Sequence, residues 1–160
     1  MNVVAFEKLG SGARFAALLA RAGAKSPSDS ILLARAALAS TLAFEVSRLI
    51  QYQRSLKLET GAAPPPPEIA DDGFQAALDF VQAAGTAGGD AETSSAVASL
   101  RTRIEAERAA ARKLREGLDA FSSGRYADAE RQLSEFSTSA RGTIVHLLAA
   151  DGAPPAGAGR

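Results

Sequence analysis

The sequence contains no cysteine and no tryptophan, and it has one histidine and one methionine. The lack of cysteine excludes a disulfide framework, a zinc site built on thiolates and a cysteine nucleophile. A single histidine, His146, excludes catalytic schemes that need paired imidazoles. The sequence also lacks a glycine-rich phosphate loop, a nucleophile elbow and a helical zinc motif. We therefore predict that the chain is not an enzyme and holds no metal or other cofactor.

No charge of either sign prevails, because 18 basic and 18 acidic residues cancel over the whole chain. The charges are nevertheless segregated: residues 1–60 carry a net charge of +4, and residues 61–95 carry six acids and no base. A nucleic-acid binder gains its affinity from a surplus of lysine and arginine that neutralises phosphates. We therefore predict no nucleic-acid partner, and we expect the acidic middle segment to face the basic first third.

The length of 160 residues and the apolar content of 46% fit one globular domain. We predict this domain over residues 1–150, with a proline-rich linker at 61–69 and a glycine-rich loop at 85–92 inside it. The last ten residues, 151–160, hold two prolines and three glycines and are predicted to form a flexible tail.

The most apolar window, residues 31–50, has the length of a membrane span but contains Arg35, Glu45 and Arg48. Three charges make insertion costly, so we predict a buried helix and no transmembrane segment. The first eight residues lack the basic region of a signal peptide and carry charges where it would need apolar residues. Cytoplasmic residence is the resulting expectation.

Helical spacing dominates the sequence and predicts an all-α fold. Ser26-Pro27-Ser28-Asp29 places a hydroxyl at an N-cap and proline at the first helical position, which predicts a helix that runs to about residue 58. Further helices are expected at about 12–22, 71–84, 94–122 and 126–149, and residues 2–6 could form an extended segment. The seam of the first long helix contains Leu38, Leu42, Leu49, Tyr52 and Leu56.

Two apolar seams meet across a turn at residues 122–125. Both follow alternating spacings of three and four, which is typical of helices that pack in coiled-coil fashion. We predict an antiparallel hairpin inside a bundle of four or five long helices. The first seam contains Val97, Leu100, Ile104, Ala111, Leu114, Leu118 and Phe121, with Glu107 as an interruption, and the second contains Tyr126, Ala129, Leu133, Phe136, Ala140, Ile144 and Leu147.

The segment around this turn, residues 113–141, resembles one tetratricopeptide repeat. The residues that carry the resemblance are a small residue, aromatics at the turn, a turn glycine and a packing alanine: Gly117, Phe121, Gly124, Tyr126 and Ala129. The hairpin also contains Leu114, Leu118, Leu133 and Phe136. The resemblance implies protein or peptide binding.

The sequence departs from that family at two positions, since Phe136 stands where alanine is usual and Arg141 where proline often closes the repeat. No second copy follows at the family's period, so we expect a single hairpin rather than a solenoid. A convergent helical hairpin that is unrelated to the family remains the alternative.

Candidate partner-binding residues lie on one face of the helix at 94–122: Arg101, Arg108, Arg112 and Arg115, joined by Tyr126. Glu105, Glu116 and Asp119 stand four residues after three of these arginines. A solvated ladder of such pairs, each worth about 0.2 to 0.5 kcal/mol, is the alternative description of this face.

Three single residues have both a chemical and a structural interpretation. Glu45 and Glu107 interrupt apolar seams and could face each other as a carboxylate pair, but the expected role is an ion pair with a neighbouring arginine. His146 could accept a phosphoryl group, but its aliphatic neighbours favour a partly buried structural histidine.

We therefore expect a non-enzymatic protein interaction module, such as an adaptor, assembly factor or chaperone-like subunit, whose partner is another protein or a second copy. One alternative is a phasin-like amphipathic protein that coats a granule or membrane by peripheral association. The other is a histidine phosphotransfer module that uses His146.

Overall fold

The computed structural model describes residues 26–56 and 63–151. Regular secondary structure in these two ranges is helical, without strands, which confirms the all-α prediction. The predictions for 2–6 and 12–22 and for the tail after residue 151 lie outside the described residues. The elements are α1 (Pro27–Thr41), a π-helical segment (Leu42–Val46), α2 (Ser47–Ser55), α3 (Asp72–Thr86), α4 (Ala91–Ser122), α5 (Tyr126–Ser139) and α6 (Ile144–Asp151).

The chain divides into two compact units. The first unit comprises Met1–Glu45 and Ile69–Arg108, and the second comprises Val46–Glu68 and Ala109–Arg160. The prediction of one domain, and of one bundle that contains four or five helices, stays a prediction.

The first helix begins where the capping residues predict. The Asp29 backbone N–H donates to Ser26 Oγ at 3.1 Å, and Pro27 occupies the first turn, where no donor is needed. Helix then continues from Pro27 to Ser55 without interruption, three residues short of the predicted end. By length and composition this helix could cross a membrane, and half of its most apolar window is buried.

In the first unit, α1 packs against α3. Gln82 of α3 accepts a hydrogen bond from Arg101 of α4, and Asp71 at the start of α3 accepts from Arg108. The order of these contacts is reversed between the two helices, so α3 and the first half of α4 run in opposite directions. The core of this unit contains Leu33, Ala34, Ala37, Leu38, Phe74, Ala77, Val81, Leu100 and Ile104.

The boundaries of α3 and α4 differ from the prediction by a few residues. Helix α3 continues through Gly85 to Thr86, and α4 begins at Ala91, three residues before the expected start. Asp71 occupies the N-cap position of α3, but its carboxylate makes no capping hydrogen bond and instead accepts from the Arg108 side chain. Distance along the chain hides this contact from sequence analysis.

In the second unit, α4 and α5 are joined by a turn at Gly124, whose φ is +74°. A Cβ on Gly117 would lie 2.6 Å from Leu133 Cδ2, so the absence of a side chain there allows α4 and α5 to approach closely. At the turn, the Phe121 and Tyr126 rings meet edge to face at 5.5 Å.

The expected continuous helix over 126–149 is wrong, because α5 ends at Ser139 and α6 begins at Ile144. Gly142 between them has φ +86°, a conformation that glycine adopts without strain. Thr143 then starts α6, since its hydroxyl accepts the His146 backbone N–H at 3.1 Å.

The proline-rich segment is held against helices of the second unit. The Tyr52 hydroxyl donates to the Pro64 carbonyl at 2.6 Å, and Arg115 Nε donates to the Pro67 carbonyl at 3.3 Å. Pro66 between them is buried. The preceding helix ends at Ser55, before this segment, and the two hydrogen bonds fix the path of the segment.

Candidate protein interaction surface

In the first unit a groove with a volume of about 560 Å³ lies between α1 and the start of α4. We call it the α1–α4 groove. Both walls of the groove are mixed in polarity: the α1 wall contains Ser28, Ile31, Leu32 and Arg35, and the α4 wall contains Asp90, Glu92, Thr93 and Ala96. Leu32 is 66% exposed although leucine is among the residues most often buried. The groove thus combines a concave shape with an exposed aliphatic side chain.

The N-terminal ends of α1 and α4 form the walls of the groove. Helix α1 presents Ser28, Leu32 and Arg35 from a start that is fixed by the Ser26 cap. Asp90 precedes α4 and caps it, since its carboxylate accepts the Thr93 backbone N–H at 2.8 Å. Because both starts are capped, the groove walls consist of regular helix rather than loop.

The two walls carry opposite charges. Arg35 lies on the α1 side, and Asp90 and Glu92 lie on the α4 side. Hydrogen bonds from the Thr93 backbone N–H and then its hydroxyl lower the pKa of Asp90, so this carboxylate remains ionised at neutral pH. The groove can therefore recognise a partner surface that also carries both signs.

A smaller hollow of about 230 Å³ adjoins the same Thr93 at the glycine-rich turn between α3 and α4. A Cβ on Gly89 would lie 2.7 Å from Thr93 Cγ2, so this turn packs tightly against the first turn of α4. Gly88 has φ +78°, which glycine adopts readily. The turn therefore shapes the end of the α1–α4 groove.

The arginine stripe on α4 is used for contacts within the protein. Arg101 Nη2 donates to Gln82 Oε1 at 2.8 Å, and Arg108 forms a two-point ion pair with Asp71. The hydrogen bond to Asp71 raises the pKa of Arg108. Because these donors already have acceptors, the stripe offers less to a partner than the sequence predicts.

The last two arginines of the stripe also form contacts within the protein. Arg115 Nη2 pairs with Glu68 Oε1 at 2.5 Å rather than with Asp119, which instead pairs with Arg125 at 3.2 Å. Arg112 is exposed and also has a partner within the protein. The expected i+4 ladder is therefore wrong at Arg115.

The acidic middle segment also has different partners from those expected. Glu68 and Asp71 belong to this segment, and they pair with Arg115 and Arg108 in the last third of the chain. These two ion pairs join the acidic segment to the last third of the chain, which the sequence does not predict. Each such pair is partly exposed and adds little stability by itself.

The hairpin residues divide into a buried set and an exposed rim. Tyr126 is 64% exposed. Phe121 and Leu133 are half-buried. The buried set contains Leu114, Gly117, Leu118, Ala129 and Phe136. The hairpin is thus a packed element whose surface-exposed aromatic is Tyr126.

Glu45 and Glu107 are 4% and 1% exposed, as the interrupted seams predict. Each has a partner within the protein, so neither is an orphaned carboxylate. Glu45 also lies in the π-helical segment. Across the described residues, no group of three or more histidine or acidic side chains is placed to hold a metal ion.

His146 is half-buried near the start of α6. Its ring lies 5.8 Å from the Phe136 ring at a tilt of 41°. This position agrees with a structural histidine at the contact between α5 and α6, as the aliphatic flanks indicate.

No family model, curated protein or solved structure matches this chain.

The sequence interpretation missed the α1–α4 groove. Its signal was present in Ser28, Ile31, Leu32 and Arg35, whose spacing of three, one and three places them on one helix face. The opposite wall, Asp90 to Ala96, is more than fifty residues away along the chain. A mixed polar and apolar stripe is indistinguishable from ordinary helix surface until its opposite wall is known.

Proposed function

We propose that this chain is a non-enzymatic protein interaction module that binds a helical segment of a partner protein in the α1–α4 groove. The observation that carries the proposal is Leu32, a 66% exposed aliphatic residue in the lining of a groove of about 560 Å³. Adaptor, assembly-factor and chaperone-like roles all fit such a surface. The arginine stripe contributes less, because its members bond within the protein.

The groove geometry favours a helix as its occupant. Positions 28, 31, 32 and 35 repeat at the spacing with which one helix presents a face to another. A helix laid between two helical walls inserts apolar anchors at the same spacing. Arg35 on one wall and Glu92 on the other then select a partner with charges on both flanks.

A photoreactive residue at position 32 tests the proposal in the native cell. We expect irradiation to join position 32 to a defined partner protein, with the adduct mapped by mass spectrometry to one helical segment. The matched control is the same residue at Leu147, which is 61% exposed and belongs to the second unit.

Equal adducts at positions 32 and 147, or no protein adduct at position 32, would contradict the proposal. A substitution at His146 provides a further control, because His146→Ala leaves the groove unchanged. We expect that variant to keep the adduct at position 32 at the wild-type yield.

A phasin-like coat protein is a second candidate, and one observation favours it. The helix Pro27–Ser55 is long and apolar enough to associate with a lipid or polymer surface, and only half of its apolar window is buried. Co-sedimentation of the purified chain with liposomes or granules, in the absence of other proteins, would support this candidate. Photo-adducts to lipid instead of protein at position 32 would support it too.

A further inference from the structure

The α1–α4 groove contains both elements that a contact between two identical copies needs. It provides a hollow, and it also provides the exposed Leu32 that can fill such a hollow. A surface of this kind is complementary to itself when two copies are related by a two-fold axis. Leu32 of each copy then enters the groove of the other.

The positions of the charged residues at the groove also suit a two-fold arrangement. Arg35 stands on the α1 wall and Glu92 on the α4 wall, and across the described ranges neither forms an ion pair. A two-fold axis through the groove brings Arg35 of one copy to Glu92 of the other, and the reverse contact follows automatically. Both charges are exposed in the single chain and available for such pairing.

We propose that the occupant of the α1–α4 groove is a second copy of this chain, in an isologous dimer with Leu32 at its centre and reciprocal Arg35–Glu92 pairs at its rim. This inference rests on the proposed function and names its partner. The apolar centre supplies affinity, and the paired rim charges fix the register of the two copies.

Charge reversal on the full-length chain tests the dimer by light scattering and sedimentation. Arg35→Glu and Glu92→Arg each place like charges opposite each other twice, so each variant alone should dimerise at least about ten-fold more weakly than wild type. A mixture of the two variants should recover a heterodimer, because each Arg35–Glu92 position then again joins opposite charges.

Two leucine substitutions complete the experiment. Leu32→Asp should give a monomer with wild-type helicity, since the residue is exposed in the single chain. Leu147→Asp changes an exposed leucine in the second unit and should leave the dimer unchanged.

A wild-type chain that stays monomeric at high concentration overturns the inference, and so does a dimer that ignores both Leu32→Asp and the charge reversals. If position 32 still cross-links to a different protein in either case, the proposed function stands while the self-association falls. If position 32 cross-links to no protein, both fall.

Discussion

Replacing Gly117 with alanine measures how closely α4 and α5 approach. The new Cβ would lie 2.6 Å from Leu133 Cδ2 and 2.8 Å from Leu133 Cγ. Ordinary carbon contacts are about 3.5 to 4.0 Å, so the overlap is about 1 Å. Rotation about χ2 of Leu133 moves Cδ2 but leaves Cγ in place, so relief requires a change in χ1 or a shift of the helix.

Two opposing contributions decide the sign of the effect. Alanine in a helix is favoured over glycine by about 0.5 to 1 kcal/mol. Overpacking of this kind costs about 1 to 3 kcal/mol. We therefore expect Gly117→Ala to lower the free energy of unfolding by about 0.5 to 2 kcal/mol, measured by urea titration with far-UV circular dichroism.

Gly85→Ala is the matched control, because Gly85 is exposed in α3 and its added Cβ would lie 3.6 Å from Val97 Cγ1, an ordinary contact. This variant should gain about 0.5 to 1 kcal/mol. In a Leu133→Ala background, Gly117→Ala should also become stabilising, because the obstructing side chain is gone. A stabilising Gly117→Ala with Leu133 still present would refute the close approach of the two helices.

Asp90→Asn should keep the cap of α4, because asparagine caps as well as aspartate, but should lessen acid sensitivity. The lowered pKa of Asp90 stabilises the fold at neutral pH and this stabilisation is lost as the pH falls through that lowered value, so the melting temperature of wild type should fall more steeply on acidification. Leu114→Asp should cost about 4 kcal/mol or more and abolish cooperative melting, whereas Leu133→Asp, at a half-buried position, should cost clearly less. Tyr52→Phe removes the hydrogen bond to the Pro64 carbonyl and should cost about 0.5 to 1.5 kcal/mol in urea titration.

Several outcomes would contradict these predictions. Identical acid profiles for wild type and Asp90→Asn would mean that the carboxylate does not stabilise α4. Equal losses for the two leucine variants would contradict the burial difference between them. Tyr126→Phe is the control for Tyr52→Phe, because Tyr126 is exposed and should tolerate the change.

Local chemistry made the helix starts and turns predictable. Ser26 and Pro27 specify the start of α1 by hydrogen bonding and by a fixed φ, which need no tertiary information. Gly124 marks the hairpin turn for the same kind of reason. The buried seam at Leu38, Leu42 and Leu49 is confirmed, because an amphipathic helix must cover its apolar face.

The break at Gly142 shows where spacing alone misleads. The apolar rhythm continues through Ile144 and Leu147, which suggests one helix across the break. Gly142 has a left-handed backbone and Thr143 caps a new helix, so α6 buries a different face from the one that a continuous helix would bury. Leu147 is therefore 61% exposed while Val145 is buried. Glycine followed by a hydroxyl residue was the available signal.

Ion pairs between residues far apart along the chain could not be predicted from the sequence. Arg115 has an acid four residues away and another 47 residues away, and it pairs with the distant Glu68. A surface ion pair contributes only about 0.2 to 1 kcal/mol, so the path of the chain decides which acid pairs with Arg115. The groove between α1 and α4 is hidden for the same reason, because its walls come from separate segments.

The π-helical segment Leu42–Val46 determines which face of α2 is buried. Buried positions along this helix recur every four residues: Ala34, Leu38, Leu42, Val46 and Ile50. In a regular helix each such step advances by about 40°, and the wider π turn takes back part of that rotation. The wider turn takes up about one residue more than regular helix needs, so a chain one residue shorter in this segment would form regular helix and keep Leu49 and Ile50 on nearly the same face. Loss of one position should therefore be tolerated better within this segment than elsewhere along the same helix.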